Sequence, residues 1–185
     1  MADESVLDDR LRAYVRLVEQ WADRLDLVSP VDVARFRERH VADSLRLLPL
    51  ERSLPAGPAI DVGSGAGLPG VPLALASDRS WRLLERSKAR AAFLEEVVRV
   101  LEMDRCEVVV ADAHEALARA DLAGAHTLAV GRALAPPKAA FRLLTGFVRS
   151  GGVAAYLVGA SAALPPEASL WAEGVAIIRV AGEPA

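Results

Sequence analysis

The sequence predicts one α/β domain, built on a mostly parallel, doubly wound sheet of about six strands behind an N-terminal helical cap. Three observations carry this. A short apolar run, Ala59–Val62, opens into glycines at alternate positions, Gly63, Gly65 and Gly67, and resumes at helix length from Val71 to Ala76. Further short apolar runs then alternate with helical periodicities as far as Val180. The length, 185 residues, suits one domain with a sizeable core and is short for two. The expected division is a helical cap over 1–54 and an α/β core over 55–185.

Bulk properties exclude more than they assign. Apolar residues make up 52% and charged residues 25%, which is ordinary globular composition. The net charge of −3 advertises no global nucleic-acid affinity, so any such surface has to be a local patch. Cys106 is the single cysteine, which excludes a disulfide framework and a cysteine-ligated zinc site. No metal is expected. The acidic N-terminus lacks an apolar leader and no apolar run approaches membrane-spanning length, so the expected location is cytoplasmic.

Ser5 to Leu25 reads as a helix, with Leu7, Leu11, Val15, Val18, Ala22 and Leu25 as its apolar stripe. Ser29 and Pro30 form an N-cap and first-turn pair for a second helix running to about Leu48, broken near Arg37. Within it, His40 and Asp43 are three apart and share a face. They could belong to a metal site, but a hydrogen-bonded pair holding the cap to the core is the favoured reading. Ser53–Pro58 links to the first strand. Trp81–Glu85 is the second strand, and Ser87–Leu101 a helix burying Ala91, Leu94, Val98 and Leu101. Cys106–Val110 and Leu128–Val130 are the third and fourth strands. Pro136 and Pro137 start a helix with Phe141, Leu144 and Val148 on its face. Gly151–Gly152 turns into a fifth strand, Val153–Val158, and Val175–Val180 is the last. The residues after Val180 are too few for another strand, and Pro184 is a poor strand residue. The expected strand order is therefore 3-2-1-4-5-6. The last strand either enters antiparallel beside the fifth or leaves it an exposed edge, which gives a monomer or a dimer through that edge.

The glycine stretch Gly65–Gly70 also fits the dinucleotide pattern G-x-G-x-x-G, which alone is a weak signal. Asp61 redirects it, because a carboxylate at the strand end suits a cationic ligand better than a pyrophosphate. Asp61-x-Gly63-x-Gly65-x-Gly67 resembles motif I of the class I methyltransferases, whose cofactor S-adenosylmethionine carries an ammonium and a sulfonium. Glu85 ends the next strand, where a carboxylate can accept from ribose hydroxyls.

A longer set of blocks occurs in one order: Leu27-Val28-Ser29, Arg39-His40-x-x-Asp43-Ser44-Leu45, Asp61 through Ala74, Leu83 through Leu94, and Arg132-Ala133. Together they resemble the ribosomal RNA small subunit methyltransferase G family (RsmG, or GidB), over roughly residues 25–160. The resemblance implies a class I S-adenosylmethionine-dependent methyltransferase (Rossmann-like) fold and methyl transfer to N7 of a guanine in 16S rRNA. The implied partner is 16S rRNA or the small ribosomal subunit. It further implies that Gly63 and Leu68 contact the cofactor, that Glu85 takes the ribose, and that Ala113 and His114 meet the adenine. Arg132 would lie near cofactor and substrate.

The candidate cofactor residues are thus Asp61, Gly63, Gly65, Gly67, Leu68, Glu85, Ala113, His114 and Arg132. The candidates for substrate contact are Arg132, Arg39, His40 and Lys88. Arg132 could instead pair with Asp61 or Glu85. Lys88, with Arg86 and Arg90, reads more readily as a solvated helix face. Asp26, Asp112, Gly131 and Val158 depart from the family pattern, and two of those changes remove positive charge. A small-molecule acceptor, or cofactor binding with little activity, remains open. No general base is expected, since guanine N7 is already a lone-pair nucleophile.

Overall fold

A computed structural model describes residues 4–182. Helix α1 (Glu4–Leu25) is followed by α2 (Pro30–Val33), a π-helical segment (Phe36–Val41), α3 (Ala42–Leu45) and α4 (Leu48–Ser53). The α/β part runs β1 (Ala59–Val62), α5 (Gly70–Ala76), β2 (Trp81–Glu85), α6 (Lys88–Val100), β3 (Cys106–Val110), α7 (Ala113–Ala116) and β4 (His126–Arg132). It closes with α8 (Pro137–Phe147), β5 (Val148–Leu157), β6 (Ser169–Ala172) and β7 (Val175–Arg179).

The seven strands form one sheet in the order β3-β2-β1-β4-β5-β7-β6. The first five are parallel, while β7 runs antiparallel to β5 and β6 antiparallel to β7. Because successive strand side chains face opposite sides, each central strand feeds two cores. Ala59, Trp81, Leu128 and Val153 point to one face, beneath Leu47, Leu50 and Leu73. On that same face Leu83 meets Tyr14, Val18, Phe93 and Leu94 from α1 and α6. Ile60, Leu84, Ala129 and Ala154 point the other way, beneath Phe141, Leu144 and Phe147 of α8. Asp61 falls on the first face, one step from Ile60, and this decides where its carboxylate goes.

Two expectations are corrected and one is decided. The sheet has seven strands rather than six. The one unforeseen, β6, is exposed at every position, so it shows no apolar alternation to read. Its signal was the turn: Ala172 pairs with Val175 across Glu173–Gly174, and Gly174 has φ +74°, as a tight hairpin requires. Of the two outcomes expected for the strand at Val175, the antiparallel one holds: β7 covers the fifth strand from Val153 to Leu157, so β5 is no edge and a dimer through it loses its premise. Gly151–Gly152 lies inside β5 rather than before it, next to a register shift against β4. The expectation for the last residues falls partly on 183–185, which lie outside the described residues.

The second predicted helix is in pieces. It stops at Val33, and the chain re-forms as a π segment in which the Ala42 N–H donates to the Arg37 carbonyl, five residues back. The wider turn buries Phe36, His40 and Val41 together.

Candidate functional site

The glycine loop is tied down by carboxylates. The Gly63 and Ser64 N–H groups donate to the Leu84 carbonyl at 2.8 and 3.0 Å, anchoring the loop to β2. Gly63, Gly65 and Gly67 have φ of +73°, +56° and +98°, conformations that other L residues adopt at a cost. Glu85 reaches back from the end of β2: Oε2 accepts from Gly65 N–H at 2.9 Å and Oε1 from Ser87 N–H at 2.8 Å. One side chain thereby fixes both the loop and the start of α6.

Asp61 holds the other end of the loop. It is fully buried, and Oδ2 accepts from Gly70 N–H at 3.0 Å, at the first residue of α5. A Cβ on Gly70 would stand 2.6 Å from that oxygen and 2.6 Å from Leu83 Cδ2, so only glycine allows this approach. Asp61 Oδ1 is buried without a partner. Burial pushes the carboxyl up to about 7, against the lowering effect of the Gly70 and Ser64 bonds and with a further rise from Glu85. The carboxylate placed by sequence at a cationic ligand is thus half committed to the backbone, with one oxygen left over. Leu68 is buried beneath the loop.

Tyr14, missed from sequence, clamps the loop from α1. Its hydroxyl donates to the Ala66 carbonyl at 2.8 Å, and the side chain is fully buried. Leu11, Tyr14, Val18 and Ala22 are the buried residues of α1, and Leu7, Val15 and Leu25 of the expected stripe pack against the same core partly buried. A tyrosine beside that apolar stripe was the signal for the clamp.

Ala113 and His114 begin α7 beyond β3. Asp112 caps that helix by accepting from His114 N–H at 2.9 Å, which holds its carboxyl below the usual range. His114 itself is exposed, with its ring 3.3 Å from Asp112. Lys88 is exposed at the start of α6, and Arg90 donates to the Asp26 carbonyl at 3.1 Å.

The second half of the site lies past the ends of β4 and β5. A cleft of about 420 Å³ is lined by Arg39, Asp43 and Arg46 from the N-terminal helices, by Arg132, and by Tyr156 and Gly174, among others. Arg132 ends β4. It pairs with neither Asp61 nor Glu85; its Nη2 lies 2.5 Å from His40 Nδ1. A guanidinium can only donate, so this nitrogen of His40 accepts and the ring proton sits on Nε2, 3.4 Å from Asp32 Oδ1. Burial lowers the His40 pKa, and Arg132 lowers it further. The ring is therefore neutral at pH 7. Arg132 Nη1 is buried with no acceptor.

The expected His40–Asp43 pair is not formed. His40 bonds to Asp32 and Arg132, while Asp43 lies 3.7 Å from Arg46. The π segment removes the i,i+3 geometry on which the expectation rested. Asp32 also takes Arg39 at 3.1 Å and the Ser29 hydroxyl at 2.7 Å. Asp32, Arg46 and Tyr156 went unread. Asp32 had a local signal, three residues after an N-cap serine; Arg46 and Tyr156 had none. The Tyr156 hydroxyl donates to the Ala135 carbonyl at 2.7 Å and accepts from Leu134 N–H at 2.9 Å, holding the turn after β4. Among the described residues no group of three or more His, Cys, Asp or Glu side chains converges as a metal site would require. No helix among them is long and apolar enough to cross a membrane.

A family model described as rRNA small subunit methyltransferase G matches residues 8–167. The ribosomal RNA small subunit methyltransferase G of Granulibacter bethesdensis is 39% identical over 154 residues, covering 83% of this chain and 69% of that protein. The same-named protein of Rhodopseudomonas palustris strain BisB18 is 38% identical over 154 residues, covering 81% and 64%. The matched region thus spans about two thirds of those relatives. Among solved structures, a putative S-adenosyl-L-methionine-dependent methyltransferase from Methanococcus maripaludis aligns with a TM-score of 0.52 and 26% identity, over 63% of this chain and 54% of that one.

Proposed function

Because the chain belongs to the rRNA small subunit methyltransferase G family, we propose that it transfers a methyl group from S-adenosylmethionine to N7 of a guanine in 16S rRNA. The observation that carries this reading is the pairing of two half-sites at the same end of the sheet. One is a carboxylate-tied glycine loop, and the other an arginine-lined cleft around Arg132. This is where open α/β sheets take their ligands.

The residues present fit the cofactor. Above Gly65 the nearest atom to an added Cβ is 3.9 Å away, so a ligand can approach the bare backbone. The spare Asp61 Oδ1 is an acceptor without a donor, which a cationic ammonium would supply. Glu85 has lone pairs left for ribose hydroxyls after its two backbone bonds. Asp61, Gly63, Gly65, Gly67, Leu68, Glu85, Ala113 and His114 form the cofactor side in this reading. Arg132 and Arg39 serve the acceptor, and Lys88, exposed at the start of α6, offers a cation to a phosphate.

When bound, S-adenosylmethionine supplies an electrophilic methyl group on its sulfonium. The protein's task is alignment, because the N7 lone pair needs no general base and orientation alone is worth many powers of ten in rate. Arg132 suits the acceptor for a chemical reason: a guanidinium is matched in shape to phosphate and can donate to guanine O6, which leaves the N7 lone pair free to react. Residues 1–54 supply the cap that bears Arg39, and 55–185 the cofactor core. In this reading the protein works in the cytoplasm, where its proposed substrate is.

The test is transfer of tritiated methyl from S-adenosylmethionine to 30S subunits, naked 16S rRNA and total RNA lacking the modification. Digestion and mass analysis then locate the product. A single 7-methylguanosine in 16S rRNA is expected. Label in a small molecule of a cell extract, with none in any RNA, would overturn the reading in favour of a small acceptor, for which a cleft of this size also has room.

A further inference from the structure

His40 is 5% exposed and does not line the cleft, so a part for it there runs through a neighbour. Its ring is nevertheless held on every side. Nδ1 meets Arg132 at 2.5 Å, Nε2 meets Asp32 at 3.4 Å, and the Phe36 ring stands edge-on with centroids 5.7 Å apart. Arg132 spans the distance between this buried ring and the cleft wall. It keeps one terminal nitrogen enclosed and without an acceptor, a costly state for a charged donor unless something holds it there.

We propose that His40 is the positioning residue for Arg132, that its neutral ring fixes the guanidinium in the pose that receives the acceptor, and that protonation of the ring releases it. This rests on the reading of the cleft as the acceptor site. The logic is one of donors and acceptors. A neutral ring with its proton on Nε2 offers Arg132 a lone pair and gives Asp32 a hydrogen. A protonated ring turns an N–H toward the guanidinium at 2.5 Å, where donor faces donor and charge faces charge.

The charged groups around the ring are Arg132, Arg39 and Asp32. The two arginines oppose a second positive charge. Asp32 favours one, but it already serves Arg39 and Ser29. Burial opposes the charge most of all and the arginines add to it, so the ring protonates only below its ordinary 6.5. Acceptor binding is therefore intact at neutral pH and lost on acidification.

Two variants separate this from a merely structural role. His40→Asn keeps an uncharged acceptor near the Nδ1 position and cannot titrate; His40→Leu has no acceptor. KM for 30S subunits is measured from pH 5 to 8 at saturating S-adenosylmethionine, because cofactor affinity has its own acid limb through Asp61. His40→Leu should raise KM about tenfold at pH 7.5, the size of a lost charged hydrogen bond, with kcat and cofactor affinity unchanged. His40→Asn should restore KM and abolish its rise in acid. A wild-type KM in His40→Leu, or a wild-type acid rise in His40→Asn, would overturn the proposal.

Nitrogen-15 spectra of the arginine side chains give a readout that needs no substrate. Arg132 should show resolved, slowly rotating Nη signals at pH 7.5, averaging as His40 protonates and persisting to low pH in His40→Asn. Arg132 signals indifferent to the His40 titration would also refute the inference. A wild-type protein that methylates no RNA would refute the proposed function, and the arginine spectra would still decide the role of His40. If His40→Leu does not fold, His40→Asn carries both measurements.

Discussion

The cofactor half and the acceptor half of this site are built by different means. On the cofactor side, buried carboxylates grip backbone N–H groups: Asp61 takes Gly70, and Glu85 takes Gly65 and Ser87. Backbone donors have no rotamers to lose, so such ties set the loop's shape firmly. On the acceptor side, side chain holds side chain: Asp32 to His40, His40 to Arg132, Arg46 to Asp43. These contacts have rotamers to lose on both sides. The first half is a mould, and the second an adjustable clamp.

The largest expected loss breaks the mould. Gly70→Val inserts atoms where even a Cβ would lie 2.6 Å from Asp61 Oδ2 and Leu83 Cδ2. A loss of about 3 kcal/mol is expected from overpacking a buried contact. Urea denaturation measures it, and a wild-type midpoint would mean that α5 is not seated on Asp61 as described.

Next in size is a change confined to the clamp. Arg132→Lys keeps a charge but cannot hold His40 and reach an acceptor together. Methyl transfer to 30S subunits should fall about a hundredfold, equivalent to roughly 2.7 kcal/mol, while calorimetric binding of S-adenosylhomocysteine is unchanged. Equal losses in both would mean that the two halves are not separable.

Asp61→Asn sharpens the contrast by moving stability and binding in opposite directions. The folded pKa of Asp61 is about 7, against an ordinary 3.8. A raised carboxyl contributes stability that is full below 3.8 and lost as pH rises through about 7. At pH 8 the native protein therefore carries a costly buried charge. Removing it should stabilise the cofactor-free protein by up to roughly 4 kcal/mol at pH 8 and by well under about 1 kcal/mol at pH 4, by the usual linkage. Cofactor affinity should meanwhile drop by about tenfold, as expected for one charged hydrogen bond. Thermal unfolding at the two pH values, with calorimetry, tests both; a destabilised variant at pH 8 would contradict the assigned cost.

The smallest effect is at Gly65→Ala. The site is open, so only the left-handed φ of +56° opposes a side chain, at about 1 kcal/mol. Folding should survive, while cofactor binding weakens because the methyl group occupies space above the loop. A variant that binds S-adenosylhomocysteine as well as wild type would place the cofactor elsewhere.

The same contrast explains what the sequence made legible. The mould is written in one stretch, Asp61–Gly70, and one residue a strand later, Glu85, so spacing alone located it. β1 and β2 were read with the right bounds because their apolar runs are buried on both faces. The clamp is assembled from Asp32, His40, Arg132 and Gly174, brought together by folding across long stretches of chain. Arg132 and His40 were named for their motifs, but their partners were not. His40 was assigned to Asp43 because an α-helical register was assumed where the chain is π-helical. β6 went unread because nothing in an exposed strand of four residues repeats at period two.

The β6–β7 hairpin has a consequence for the order in which the molecule is made. Arg46 donates to the Glu173 carbonyl at 3.4 Å, and Gly174 lines the cleft, so one wall is supplied by residues translated long after the segment they face. Domains assemble as units while the chain is still emerging, N-terminal parts first. The glycine loop and its carboxylates are all in place by Ser87, and α1 is already there to clamp them. A nascent chain stopped short of Val175 would thus hold a formed cofactor loop beside an unfinished acceptor wall. Its β5, apolar from Val153 to Tyr156, would stand bare until β7 arrived. An unpaired apolar strand is the kind of surface that chaperones cover and that pairs with neighbours when they do not. Slow translation of the hairpin should therefore lower the soluble yield without altering the activity of the molecules that mature.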